Sequence, residues 1–303
     1  MLETEFSWSR MLTAEETQRR FVHCYDRGGS HLAAQAGLWL PIGDPEYWEN
    51  GREFDPKLPG YWQVEITGSG DWRLPHPLLR RGEAPGQLWV TTPSLEYARE
   101  LGHEPTILQA YTWPKRAKAL VPYYERVRDA RTALDTKDPD AQAARDLLKT
   151  VYTRTGGLMG SPNNMKLTDD QDPGQGPAGR EGFKEGFKPE WRHHWIAKAC
   201  MNELRQLVII GRDTGEYPVA MTDDTVVYTS DNPDPVAAWP GNPKKYGRGL
   251  GQFKWEGSAL LEDHAAYLTG KPYTNQQKEE LTKAWDTTAG GYLAHGDEGD
   301  GER

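Results

Sequence analysis

Two acidic sites, each at the end of a β-prone run, constrain this chain more than any other feature. In FVHCYDRGGSHL an extended run carries Asp26 into a Gly-rich turn. In YPVAMTDDTVVYTS two β-prone runs, over 219–221 and 225–229, are joined through the tight acidic turn Asp223–Asp224. Carboxylates gathered at the ends of neighbouring strands can hold two divalent cations about 3.5–4 Å apart, which clamps both oxygens of an in-line phosphoryl displacement. Asp26, Asp223 and Asp224 are therefore the candidate catalytic and metal-ligating residues, with Mg²⁺ or Mn²⁺ as the cofactor. The same acidic turn, taken alone, is also what a solvated hairpin looks like.

The 303 residues suffice for one large or two ordinary domains with a real core. Twelve Trp and fourteen Tyr supply bulky core and stacking groups, while 32 Gly and 22 Pro predict many loops. No apolar run approaches the ~18–20 residues of a membrane span, and the opening MLETEFSWSR lacks a signal-peptide pattern. A cytoplasmic, nucleoid-associated protein with no membrane partner is expected. With only Cys24 and Cys200, neither a disulfide framework nor a Cys-rich zinc site is expected. The net charge of −9 argues against a global electrostatic grip on DNA. The cations are clustered, however. Arg126, Arg128, Arg131, Arg145, Lys149 and Arg154 crowd one stretch, and Lys244, Lys245 and Arg248 another. Each run reads either as part of a basic groove or as a solvated helix face.

Strand composition marks 62–67 and 87–92, and 93–102 reads as a short helix with Ser94 as cap and Gly102 as stop. Residues 118–156 are expected to be helical in two pieces, the second stopping at Gly156–Gly157. On that second helix Arg145, Lys149 and Tyr152 fall at i, i+4 and i+7 on one face, with Leu147, Leu148 and Val151 packing the other side. Residues 160–187 are polar and Gly/Pro-rich, a long mobile loop. A helix with Trp191, Trp195, Ala199 and Leu204 on one stripe then runs to Gly211. A last helix is expected over about 275–286. Adjacent His193 and His194 diverge on a helix and read as surface or groove polarity rather than as a metal pair. Trp62, Trp72, Trp89 and Trp113 are candidates for base stacking or for the core.

The order of these blocks resembles the core of family B DNA polymerases, in particular the protein-primed branch of small linear phages. CYDRGGSHLAAQAGLWLP resembles the first palm motif through Asp26, with His31 in the place of the aromatic that excludes ribonucleotides. Ser30-His31-Leu32-Ala33 departs from that motif's usual Ser-Leu-Tyr-Pro. Arg145, Lys149, Tyr152 and Gly156–Gly157 resemble the fingers motif, with Arg145 replacing its triphosphate-binding Lys; Arg128 or Arg131 resembles the second triphosphate cation. Thr222-Asp223-Asp224-Thr225 resembles the Asp-Thr-Asp-Ser hairpin, with Asp224 at the essential second position and Thr222 replacing the first Asp. Leu250-Gly251-x-x-Lys254-Trp255-Glu256 is similar to the block before the thumb, and Lys271-Pro272-Tyr273 to the Lys-x-Tyr motif that holds the primer end. The resemblance spans about 20–275.

That resemblance implies an α+β right-hand polymerase core: an antiparallel palm sheet, helical fingers and a small thumb, without an exonuclease domain. Its parts would be 1–117, a palm portion with a terminal-protein-region-like insertion at about 44–114; 118–158, fingers; 159–240, mobile loop, palm helix and catalytic hairpin; and 241–303, thumb-like with an acidic tail. Implied partners are dNTP, DNA primer-template and a terminal priming protein. Lys254, Lys271 and Tyr273 would contact primer or DNA. A narrower resemblance is to the polymerase-like part of actinobacterial telomere-associated proteins of linear replicons. Two alternatives stay open. Thr222 and the altered His31 block also suit a catalytically impaired module that recruits a terminal protein or telomeric DNA, and the acidic pair also suits another two-metal enzyme such as a nuclease.

Overall fold

Alternation of apolar side chains along the extended runs builds antiparallel sheets, on which the longer helices are laid. A computed structural model describes residues 3–68, 70–80, 83–161, 186–265 and 268. In chain order the elements are β1 (Phe6–Ser9), β2 (Phe21–Arg27), α1 (Ser30–Ala34), β3 (Leu40–Pro41), β4 (Glu46–Trp48), β5 (Gly60–Glu65), β6 (Gln87–Thr91), α2 (Thr92–Glu100), β7 (Thr106–Thr112) and β8 (Arg116–Ala117). There follow α3 (Val121–Ala133), α4 (Pro139–Gly160), α5 (Pro189–Thr214), β9 (Ala220–Asp223), β10 (Thr225–Ser230), β11 (Phe253–Leu260) and α6 (Leu261–His264).

A five-stranded sheet of order β1-β9-β10-β2-β11 is covered on both faces. Phe6, Tyr25, Met221, Val226 and Phe253 pack against Met201, Leu204 and Leu207 of α5. Val22, Cys24, Ala220, Val227 and Ala259 pack the opposite face with Leu261 and Leu268. The Pro-rich crossing after β10 closes the α5 side. Its Trp239 ring lies 4.8 Å from Tyr25, and the Tyr25 hydroxyl donates to the Pro235 carbonyl at 2.7 Å.

Residues 44–114 hold a separate four-stranded sheet of order β4-β7-β5-β6, whose Trp62, Val64, Val90 and Ala110 bury against Leu95 and Ala98 of α2. A buried carboxylate ties it to the chain that enters β1. Glu3 accepts from the Thr91 amide and hydroxyl, both at 2.8 Å, and from Arg80 at 2.8 Å, with both charged side chains almost wholly buried.

Several local expectations are corrected. Helix α2 begins after Thr91, not Ser94, whose hydroxyl instead donates to Glu3. Gly156 and Gly157 stop nothing, because α4 continues to Gly160. A Cβ on Gly156 would sit 3.2 Å from the Trp195 ring, so this glycine lets α4 approach α5. Gly211 likewise lies inside α5, against Tyr217; the true stop is Gly215, at φ 78°, the left-handed C-terminal position glycine favours. Leu147 and Val151 are 70% and 57% exposed rather than packed, and Leu148 alone of the three joins a core cluster. His194 is not surface polarity. It is buried between the Glu190 carbonyl, to which Nδ1 donates at 2.7 Å, and the Gly60 amide, which donates to Nε2 at 3.1 Å; burial pushes it down to about 4, so the ring is neutral. His193 meets the Tyr61 hydroxyl at 2.9 Å. Trp62 and Trp113 are core. The loop expected at 160–187 lies almost wholly, and the helix expected at 275–286 entirely, outside the described residues.

Removing one partner of a buried charge pair strands the other, at a cost of about 3–5 kcal/mol. Glu3→Ala is expected to lower unfolding stability by that amount in urea denaturation, and Glu3→Gln by less, since it keeps an acceptor for Thr91. A wild-type midpoint in Glu3→Ala would show the tie to be idle.

Candidate active site

Strand pairing brings the two acidic sites together. In the β2–β10 ladder Asp26 lies opposite Thr225, and the Arg27 amide donates to the Asp224 carbonyl at 2.9 Å. One cross-strand step of about 4.5–5.5 Å and one residue step of about 3.8 Å bound the Asp26–Asp224 Cα separation at about 9 Å. Thr222 pairs with Thr225, so Asp223 and Asp224 form the two-residue turn. Asp223 takes a positive φ of 54°, which Asp tolerates better than most residues. Past Asp26, Gly29 at φ 60° turns the chain into α1, and reciprocal amide bonds between Gly28 and residues 251 and 252 clamp this corner to the approach of β11.

A cleft of about 480 Å³ opens over this corner. It is lined by the acids Asp26, Asp224 and Glu256, by His31, Trp195 and Arg192, and by Lys149 and Tyr152 of α4. The electrostatics are those of crowded acids. Burial, then the neighbouring Asp26, pushes the Asp224 carboxyl up to about 7. Lys254 Nζ stands 3.7 Å from Asp26, and the Thr225 hydroxyl donates to Glu256 at 2.9 Å. His31 Nε2 meets Glu5 at 3.1 Å. Burial disfavours the charged ring, but the Glu5 contact outweighs it and raises the His31 pKa. Beneath the hairpin, burial and Asp224 hold the Glu203 carboxyl far above its usual range.

The cleft thus gathers Asp26, Asp224, His31, Lys149, Tyr152 and Lys254 of the expected site. Other candidates stand elsewhere. Asp223 is on the exposed turn and does not line the cleft. Arg145 is held by Asp135 at 2.7 Å and does not line the cleft; Lys149, one turn further along α4, is the α4 cation that does. Arg128 is exposed and paired with Asp129. Arg131 does not line the cleft but donates to the Tyr152 hydroxyl, which does, and to the Arg248 carbonyl. Lys271 and Tyr273 lie outside the described residues. Sequence reasoning misses Glu5, Arg192 and Trp195 as site residues; Arg192 and Trp195 share a face of α5 at i, i+3, whereas Glu5 carries no local signal.

Among the described residues no group of three or more His, Cys, Asp and Glu has the arrangement of a ready-made metal centre. Two carboxylates are nevertheless the donor set that suits Mg²⁺, which is commonly held by one or two carboxylates together with substrate phosphates. Burial first, and Asp26 second, raise the Asp224 pKa, and a cation bound there would offset both.

No protein-family model matches the chain, and no curated protein does. Among solved structures, Phi29 DNA polymerase complexed with primer-template DNA is similar over 84% of this chain and 45% of that one, at 16% identity and a TM-score of 0.52. The same polymerase complexed with primer-template DNA and incoming nucleotide substrates aligns at 15% identity and a TM-score of 0.48, over 85% of this chain and 46% of that one. The likeness is one of fold: this α+β chain resembles a portion of Phi29 polymerase and spans less than half its length. No helix among the described residues is long and apolar enough to cross a membrane.

The unfolded Asp224 carboxyl ionises near 3.8, the folded one at about 7, so folding takes up a proton between those values. A raised acid contributes fully to stability below the lower value and loses that contribution as pH rises through the upper one. In chelator, the gain in Tm of Asp224→Asn over wild type is expected to widen from about pH 4 to 7 and then level off, by several degrees at ~2–4 °C per kcal/mol. An equal gain at both ends would show that Asp224 takes up no proton on folding.

Proposed function

We propose that this chain is a DNA polymerase-like nucleotidyltransferase that joins a deoxynucleotide to a primer end. The observation that carries the reading is the convergence of Asp26, on β2, and Asp224, in the turn before β10, on one cleft that also receives Lys149, Arg192 and Lys254 from three other elements. Acids and cations lining one cleft suit a polyphosphate whose reacting end sits beside the acids. Asp26 and Asp224 would hold Mg²⁺ or Mn²⁺, with Asp223 in a supporting place on the turn. When bound, such cations polarise the phosphoryl group and neutralise developing charge. Lys149 and Arg192 hold and orient the triphosphate. Tyr152 and Trp195 offer ring surface beside the nucleoside, and His31, braced by Glu5, stands where the sugar would lie. Lys254, near Asp26, would meet the primer end, with Lys271 and Tyr273 as further primer contacts.

The finer reading is protein-primed synthesis at DNA ends. It is supported by the motif order and by the self-contained sheet at 44–114, which would hold a terminal priming protein, with 118–158 acting as fingers and 241–303 as a thumb-like region. Function at the telomeres of a linear replicon, in association with the nucleoid, fits the same motifs. A second reading has specific support: Thr222 stands where a further carboxylate would complete the site, and its buried hydroxyl lacks a hydrogen-bond partner. On that reading the fold recruits a terminal protein or telomeric DNA without catalysis.

Asp26→Ala and Asp224→Ala are each expected to abolish incorporation of labelled dNTP on a primed template, with or without a terminal protein, while leaving the protein folded; Asp223→Ala should lose less. Normal incorporation by Asp224→Ala would eliminate catalysis at this cleft. The recruiting module predicts no dNTP-dependent Mn²⁺ binding in wild type.

For the triphosphate, Lys149→Ala is expected to raise the KM for dNTP by about tenfold or more, the scale of a lost charged hydrogen bond at ~1.5–3 kcal/mol. Arg145→Ala should do so less, because Asp135 already engages that guanidinium. A larger effect at Arg145 would mean that α4 re-seats on nucleotide binding, and indifference to both would return this face to plain solvent exposure.

A further inference from the structure

The short β3–β8 ladder carries a feature that the cleft does not use. Leu40 lies opposite Ala117 and Pro41 opposite Arg116, so Trp39, Arg116 and Lys118 share one face of the ribbon while Leu40 turns inward. Trp39 is 42% exposed, although its neighbours Leu38 and Leu40 are buried. The Arg116 guanidinium and the Lys118 ammonium each stand 5.0 Å from the Trp39 ring centroid. Arg116 also donates to the Lys57 carbonyl, which fixes its direction. None of the ion pairs among the described residues involves Arg116 or Lys118. In a chain with 45 acidic residues, two adjacent cations left without a carboxylate around an open indole form a concentrated positive site. The inner side of this ribbon is continuous with the cleft: Leu38 and Leu40 pack on Trp195, which lines it, and the Pro41 carbonyl accepts from Trp191 at 2.8 Å.

A partly exposed indole with two cations over its ring is suited to a single-stranded nucleic acid, because a base can stack on the indole surface left open while neighbouring phosphates meet the charges. A duplex keeps its bases stacked on one another and would use the cations alone. We infer that Trp39, Arg116 and Lys118 form a single-strand subsite, outside the cleft, that holds an unpaired stretch of nucleic acid running to or from it. This rests on the nucleic-acid reading of the cleft.

The test uses the full chain and a fluorescein-labelled oligo-dT of about 20 nucleotides, longer than the ~4–16-nucleotide footprints of single-strand sites, with oligo-U of equal length to separate DNA from RNA. Fluorescence anisotropy is followed against salt, and dNTP binding is measured in parallel. Trp39→Ala is expected to weaken oligo-dT binding about five- to a hundred-fold, the loss of one stacked base, and Trp39→Phe to retain most of it. The double variant Arg116→Ala, Lys118→Ala is expected to reduce the slope of log affinity on log salt by about 1.4, two phosphates' worth on a single strand. All variants should bind dNTP as wild type does, and should Trp39→Ala fail to fold, the charge variant and Trp39→Phe carry the test. Wild-type oligo-dT affinity and salt slope in both Trp39→Ala and the charge variant would overturn the subsite, as would a wild type that binds dNTP but no single strand. Weakened oligo-dT binding in a protein that binds no dNTP would uphold the subsite and sink the cleft reading instead.

Discussion

The antiparallel pairing of β2 with β10 is the contact on which the rest of the molecule depends. It runs from Phe21 opposite Ser230 to Asp26 opposite Thr225, so the two acidic sites meet at the rim where the ladder ends. Carboxylates there repel one another, and no local interaction would gather them. The gathering force is burial, since both faces of the sheet are covered by apolar side chains, whose removal from water is worth roughly 25 cal/mol per Å². The core thus stabilises an arrangement that its own charges oppose, and the Asp224 pKa of about 7 records the burial first and the neighbouring Asp26 second. Rigid strands suit such a task because β2 carries Asp26 directly and β9 and β10 fix the two-residue turn that carries Asp224.

Charge is divided by place rather than balanced overall. At −9 the chain repels a polyanion at long range, yet cations gather locally, beside the acids that line the cleft and on the β3–β8 ribbon. Others are engaged locally, Arg145 by Asp135 and Arg19 by Glu216. A count of basic residues along a helix therefore overstates what that helix presents to a ligand.

Much of the site is legible in the sequence. Asp26, the Asp223–Asp224 turn and the strands around them obey short-range rules: period-two alternation, a two-residue acidic turn, glycines after the strand. Lys149 and Tyr152 follow from helical spacing. The residues that mislead are those with two uses. Gly156 and Gly211 read as helix stops but serve as gaps against Trp195 and Tyr217, a choice made by partners distant in sequence. His194 reads as surface because adjacent polar residues usually are, yet the Gly60 amide and the Glu190 carbonyl bury it at no unmet hydrogen-bond cost.

By itself the sequence determined the strands around the acids, the turn that bears two of them and the face of α4 that carries Lys149, because each follows from the geometry of a few consecutive residues. Tertiary structure alone decided that Glu5 braces His31, that Arg192 rather than Arg145 reaches the cleft, and that Arg116 and Lys118 both stand over the half-exposed Trp39 ring. Those outcomes depend on which surfaces are brought together across the sheets. Period and spacing specify direction along one element, but not the neighbour it will face.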